Sequence, residues 1–129
     1  MLVSAAISQG PPYRLLILWI REGFELVVSH RLLYELEAVL LREKFRSKLS
    51  YQEVLEYVLW LHERGVLADE GDEIPRRSVD PDDDYLIALA LASEADLIVS
   101  GDRDLLELEG QDLPRVVRPA EFLSSLNGG

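Results

Sequence analysis

The chain has 129 residues, is 48% hydrophobic and has no cysteine, which is apolar material for one compact core without a disulfide framework or a thiolate metal site. Its 24 acids against 13 bases give a formal net charge of −11, so the molecule as a whole repels a polyanion and any nucleic-acid contact must be local. Apolar runs such as Leu15–Ile20 and Leu86–Ala92 are far shorter than a bilayer crossing, and no basic region followed by a cleavable apolar core opens the chain; the expectation is a cytosolic protein without membrane association, with one domain over residues 1–126.

Met1–Ser8 reads as a short apolar stretch, broken by Gln9-Gly10-Pro11-Pro12, with Pro12 suited to the first turn of a helix over Tyr13–Glu22 that Gly23 closes. Phe24–Val28 is apolar, partly β-branched and too short for a helix, as in a buried parallel strand. Ser29 then caps a helix to Arg42, in which Leu32, Leu33, Leu36, Val39 and Leu40 make one apolar face with Glu35 beside it. Ser50 and Glu53 have capping-box spacing and open a helix to Arg64, with Val54, Leu55, Val58, Leu59 and Leu61 inward and Gly65 at its end.

Val66–Ala68 predicts a short strand and Asp69–Arg77 a polar surface loop. A helix over Asp82–Glu94 follows, with Leu86, Leu89 and Ala90 toward the core. Asp96–Ser100 is again strand-like, Gly101 turns, and Asp104–Glu109 is a short helix. Arg115–Arg118 is a last strand and Pro119–Leu126 a last helix, leaving residues 127–129 as a frayed tail.

Strands alternating with helices predict an α/β fold, a parallel sheet covered on both faces by right-handed crossovers. Ligands of such sheets bind beyond the carboxyl ends of the strands. Asp102 lies just past one strand and Ser29 with the Glu35 helix just past another. Asp82, Asp83 and Asp84 stand in the first turn of their helix, where the macrodipole favours carboxylates whatever their role. Asp84 alone is flush with the apolar stripe, while Asp82 and Asp83 are expected to turn toward water. Each acid has a bland reading as well: an Asx turn for Asp102, and a solvated residue or a pair with Arg31 for Glu35.

Together, carboxylates from separate segments suit Mg²⁺ or Mn²⁺, whose shell is completed by water and phosphate oxygens; two such ions about 4 Å apart serve phosphodiester cleavage. His30 and His62 have no ligand spacing to each other and are expected on helix surfaces, so zinc is not indicated. Trp19 and Trp60 fall on apolar helix faces, where core packing or a protein interface fits better than base stacking.

Three blocks taken in order, Ser29-x-x-Leu-Leu-x-Glu35, Asp80-Pro-Asp-Asp-Asp84-Tyr-Leu-Ile-Ala88 and Asp96-Leu-Ile-Val-Ser-Gly-Asp102-Arg-Asp104-Leu-Leu, closely resemble the PIN-domain family over Leu2 to Leu123. More narrowly, the chain looks like the PIN-family toxin component of prokaryotic toxin–antitoxin modules. The resemblance implies a three-layer α/β/α sandwich with a central parallel sheet and Mg²⁺- or Mn²⁺-dependent cleavage of single-stranded RNA. It also implies a homodimer and a cognate antitoxin whose tail occupies the active groove. By position, Glu35, Asp84 and Asp102 match the family's second, third and fourth acids as catalytic and metal-holding residues. Asp104 matches a frequent extra acid, and Ser100 a small hydroxyl residue steadying the site. Arg42, Lys44, Arg46 and Lys48 form the densest basic cluster and are the candidate RNA contacts, against the plainer reading of a solvated helix end.

The departure is at the start. The family's first strand ends in Asp-Thr-Asn and leads into a segment like Leu2-Val3-Ser4-Ala5, with Ser4 as a supporting residue, yet no Asp or Glu precedes Glu22 here. The expectation is therefore an N-terminally truncated PIN-like domain lacking the first strand and its catalytic Asp, with an impaired site. A competing reading is a non-catalytic, degenerate PIN module that binds an antitoxin or dimerises. A phosphoacceptor signalling domain needs an Asp ending the first strand and a Lys after a late one, and has neither.

Overall fold

The computed structural model describes residues 1–71, 81–108 and 113–127. Two compact units divide the chain, Leu2–Leu67 and Ala68–Gly129, the latter taking in Met1. Among the described residues no helix is long and apolar enough to cross a membrane.

In the first unit the helices α1 (Leu2–Ile7) and α2 (Pro11–Ile20) precede the strand β1 (Val27–Val28). The helices α3 (His30–Leu40) and α4 (Tyr51–Arg64) follow and lead into β2 (Val66–Leu67), with a 3-10 turn at Glu43–Phe45 between them. β1 and β2 pair in parallel, Val27 opposite Val66 and Val28 opposite Leu67, a pairing that needs a crossover connection, here carried by α3 and α4. The core of this unit is built from Ala5, Leu16, Trp19, Val28, Leu33, Leu36, Leu40, Val54 and Leu61. Trp19 and Trp60 meet edge to face with ring centroids 5.0 Å apart, which places both in packing, as their apolar faces predict. Tyr57 donates its hydroxyl to the Leu2 carbonyl at 2.9 Å, tying α4 to α1, and burial pushes its ionisation well above the usual range.

Local signals set the helix starts. Ser29 Oγ accepts the Leu32 N–H at 3.1 Å, and the Ser50–Glu53 box is complete, with Glu53 N–H donating to Ser50 Oγ at 3.1 Å and Ser50 N–H to Glu53 Oε1 at 3.0 Å. Those backbone and hydroxyl bonds hold the Glu53 carboxyl below its ordinary range. Several expectations shift. Residues Leu2–Ile7 form a helix, and Phe24–Val28 contracts to a two-residue strand. Leu59, expected inward, is 56% exposed, because Tyr57, Val58 and Trp60 line that side of α4 instead. The end of α2 also differs. Gly23 N–H donates to Leu18 O and Glu22 N–H to Trp19 O, a Schellman ending whose left-handed residue is Glu22 (φ 62°), one position before the glycine.

In the second unit α5 (Pro81–Ala92) leads to β3 (Leu97–Val99), then α6 (Arg103–Leu106), β4 (Arg115–Val117) and α7 (Pro119–Asn127). β3 and β4 are parallel, with Ile98 opposite Val116, and α6 crosses between them. Tyr85, Ile87, Leu89 and Ala90 of α5 are all buried; burial on several faces is what a helix with little amphipathic contrast requires. α5 ends as α2 does, with Ala95 N–H to Ala90 O, Glu94 N–H to Leu91 O and Glu94 at φ 55°. Helices with parallel strands in both units make the chain α/β, as the alternation of elements predicts. Part of the expected Asp69–Arg77 loop (72–77), Glu109, and residues 128–129 of the expected tail lie outside the described residues.

Candidate functional site

In the second unit Ser100 follows the carboxyl end of β3, and its N–H continues the ladder to Val117 O at 2.9 Å. The chain then turns sharply. Asp102 N–H donates to Ser100 Oγ at 3.0 Å, and Asp102 Oδ1 accepts the Asp104 N–H at 2.9 Å, so Asp102 is the N-cap of α6. The Asx reading of Asp102 is thus correct as local structure. It leaves a function open, because an ionised carboxylate has about four lone-pair sites and the cap occupies one. Asp102 is exposed, Ser100 and Asp104 half-buried.

α5 packs on β3, and the short connection Ser93–Asp96 reverses the chain between them. Asp82, Asp83 and Asp84 fall in the first turn of α5, and Asp102 follows the carboxyl end of β3. Asp84 is 5% exposed there, and Asp83, expected to face water, is 8% exposed. The correction has a simple reason: α5 is covered on more than one face, so the residue beside the apolar stripe is enclosed as well. The Asp82 side chain lies outside the described residues. Adjacent buried carboxylates are costly to desolvate, and the helix dipole offsets only about 0.3–2 kcal/mol of that cost.

In the first unit Glu35 is exposed on α3, between the buried Leu33 and Leu36. Ser4 is exposed in α1, its carbonyl accepting the Ser8 N–H and hydroxyl. Arg42, Lys44, Arg46 and Lys48 are all exposed around the 3-10 turn, with Lys44 Nζ 5.1 Å from the Phe45 ring centroid. A cavity of 440 Å³, lined by Trp19, Phe24, Leu26, Arg64 and neighbours, includes none of the candidate acids.

The donor chemistry of these acids fits a hard dication, since carboxylate oxygens are the ligands such ions take. Among the described residues no three His, Cys, Asp or Glu side chains gather as a cage. Sequence reasoning missed two features. Asp83 is one, hidden by a single-stripe view of α5. The other is the approach of His30 and His62, whose ring centroids are 5.6 Å apart although nothing in their spacing announces it; the packing of α3 on α4 creates it.

A family model described as PIN domain matches residues 1–104, a span that includes Glu35, Asp84, Asp102 and Asp104. The chain belongs to the PIN-domain family. No curated protein and no solved structure matches it significantly. PIN domains are generally nucleases that use divalent metals and bind nucleic acid, so the coarse assignment of this PIN-domain chain is a nuclease.

Proposed function

We propose that this PIN-domain protein is a Mg²⁺- or Mn²⁺-dependent endoribonuclease, the toxin of a toxin–antitoxin module, hydrolysing single-stranded RNA. By position in the family's motifs, Asp84 and Asp102 would hold the metal, and Glu35 and Asp104 correspond to further acids of the family. The observation that carries this reading is Asp84, buried at the head of α5, on a helix that packs against the strand from which Asp102 emerges. When bound, a divalent ion polarises the phosphodiester and lowers the pKa of a water nucleophile. The chain's own part is to position its acids. Ser100 Oγ holds the Asp102 amide, and the Asp104 amide fixes one Asp102 oxygen. The partners proposed are a cognate antitoxin and a second copy of the chain, both by family resemblance.

No acid precedes Glu22, so the family's first acid has no counterpart among these residues. The test is cleavage of labelled single-stranded RNA with Mn²⁺ and Mg²⁺, with chelator, and with Asp84→Asn. The expected result is metal-dependent cleavage, abolished by chelator and reduced about a hundredfold or more by Asp84→Asn. Cleavage indifferent to both sinks the assignment.

A second reading is a non-catalytic PIN module that binds an antitoxin or dimerises. Under it, Mn²⁺ titration shows no saturable binding that depends on Asp84 and Asp102.

A further inference from the structure

His30 and His62 take no part in the acidic site. His30 is the first residue of α3, and His62 lies in the last turn of α4. Both side chains are exposed, and their rings lie 5.6 Å apart between centroids with planes inclined by 34°. Imidazole nitrogens bind Zn²⁺ at about 2.0–2.1 Å, which puts the ion about 3.2 Å from each ring centroid. Two rings on one tetrahedral ion then have centroids about 5.2 Å apart, and about 6.4 Å at the linear limit. The observed separation falls between those limits, so the spacing of the two rings matches that of two imidazoles on one ion.

We propose that His30 and His62 form a two-imidazole site for a borderline transition-metal cation, Zn²⁺ or Cu²⁺ by chemistry, clipping the start of α3 to the end of α4. Nitrogen donors select such ions over Mg²⁺ and Mn²⁺, which prefer carboxylate and water oxygens. Among the described residues no third His, Cys, Asp or Glu completes a cluster with the pair, so water fills the remaining positions and binding is reversible. The α4 carboxyl end attracts the cation and the α3 amino end opposes it; the two offset, and the affinity comes from the two ring nitrogens. An ion held this way links two helices distant in sequence and stabilises the folded first unit in proportion to its occupancy.

Calorimetric titration of the tag-free, chelator-stripped full chain with ZnCl₂, in excess Mg²⁺ to saturate oxygen sites, tests this. One saturable Zn²⁺ per chain is expected, with a rise in melting temperature. His30→Gln and His62→Gln should each weaken binding about a hundredfold, because the second ligand no longer acts intramolecularly, and each should abolish the thermal shift. Asp102→Asn leaves the Zn²⁺ isotherm unchanged, which separates this site from the acidic one. Electron paramagnetic resonance of the Cu²⁺ form should show coupling to two ring nitrogens in the parent chain and to one in either variant. Wild-type affinity in both histidine variants, or no saturable Zn²⁺ in the parent chain, overturns the proposal. Both residues being exposed, the variants keep the metal-free melting temperature of the parent.

Discussion

The Asp102 carboxylate accepts the Asp104 N–H at 2.9 Å, so its charge and its capping bond can be separated by substitution. Asparagine caps a helix about as well as aspartate, whereas alanine forfeits about 1 kcal/mol. Asp102→Asn is therefore expected to denature in urea within a few tenths of a kcal/mol of the parent, and Asp102→Ala about 1 kcal/mol earlier, at the lower end because α6 has only four residues. Mn²⁺-dependent cleavage should fall alike in both, since both remove the charge. If Asp102→Asn cleaves RNA at the parent rate, the residue is a cap and nothing more. Asp83 shows what the residue scale conceals from a sequence. Its neighbour Asp84 lines up with the apolar stripe and was legible, but the burial of Asp83 depends on how much of α5 is covered, and no helical wheel contains that information.

Helix starts and helix ends differ in how plainly the sequence states them. A start is signalled by one side chain accepting a backbone N–H two or three residues on, and both Ser29 and Ser50 were readable for that reason. The ends of α2 and α5 depend on backbone geometry. Each places a glutamate, Glu22 or Glu94, in the left-handed region where glycine is the usual occupant. Gly23 drew attention to the right turn but the wrong residue. A left-handed L-residue costs about 1–2 kcal/mol, against which glycine's greater freedom in the unfolded chain returns about 0.4–1 kcal/mol. Glu94→Gly should thus raise stability by about 0.5–1 kcal/mol, read as a higher urea midpoint at unchanged slope. A lower midpoint would mean that the Glu94 side chain contributes more than its backbone strain costs. The short strands were legible in place but not in length, because Phe24 and Leu26 are as apolar as the residues of β1 yet lie outside the strand.

For the molecule as a whole, charge governs how RNA can be approached. At a formal −11 the net field opposes a polyanion at low salt, and screening confines that repulsion to about 8–10 Å at physiological ionic strength. A local positive patch is then a route to phosphate contact apart from a bound metal ion, and Arg42, Lys44, Arg46 and Lys48, all exposed around one turn, form the candidate patch. Two effects must be told apart, because removing any base makes the chain more negative. Arg46→Ala with Lys48→Ala deletes two bases from the patch; Arg14→Ala with Arg21→Ala deletes two exposed bases from α2 and its end, leaving the same net charge. If the patch touches two phosphates, the first pair flattens the dependence of log affinity on log salt by about 0.7 for each phosphate lost, and the second pair leaves the slope unchanged. Fluorescence anisotropy of a labelled single-stranded oligoribonucleotide, with the metal present and Asp84→Asn to block cleavage, measures both. Equal losses in the two double variants would assign the effect to net charge alone and remove the patch from the RNA path. A flattened slope in the first pair only would fix one side of the RNA to the turn after α3, the helix that carries Glu35.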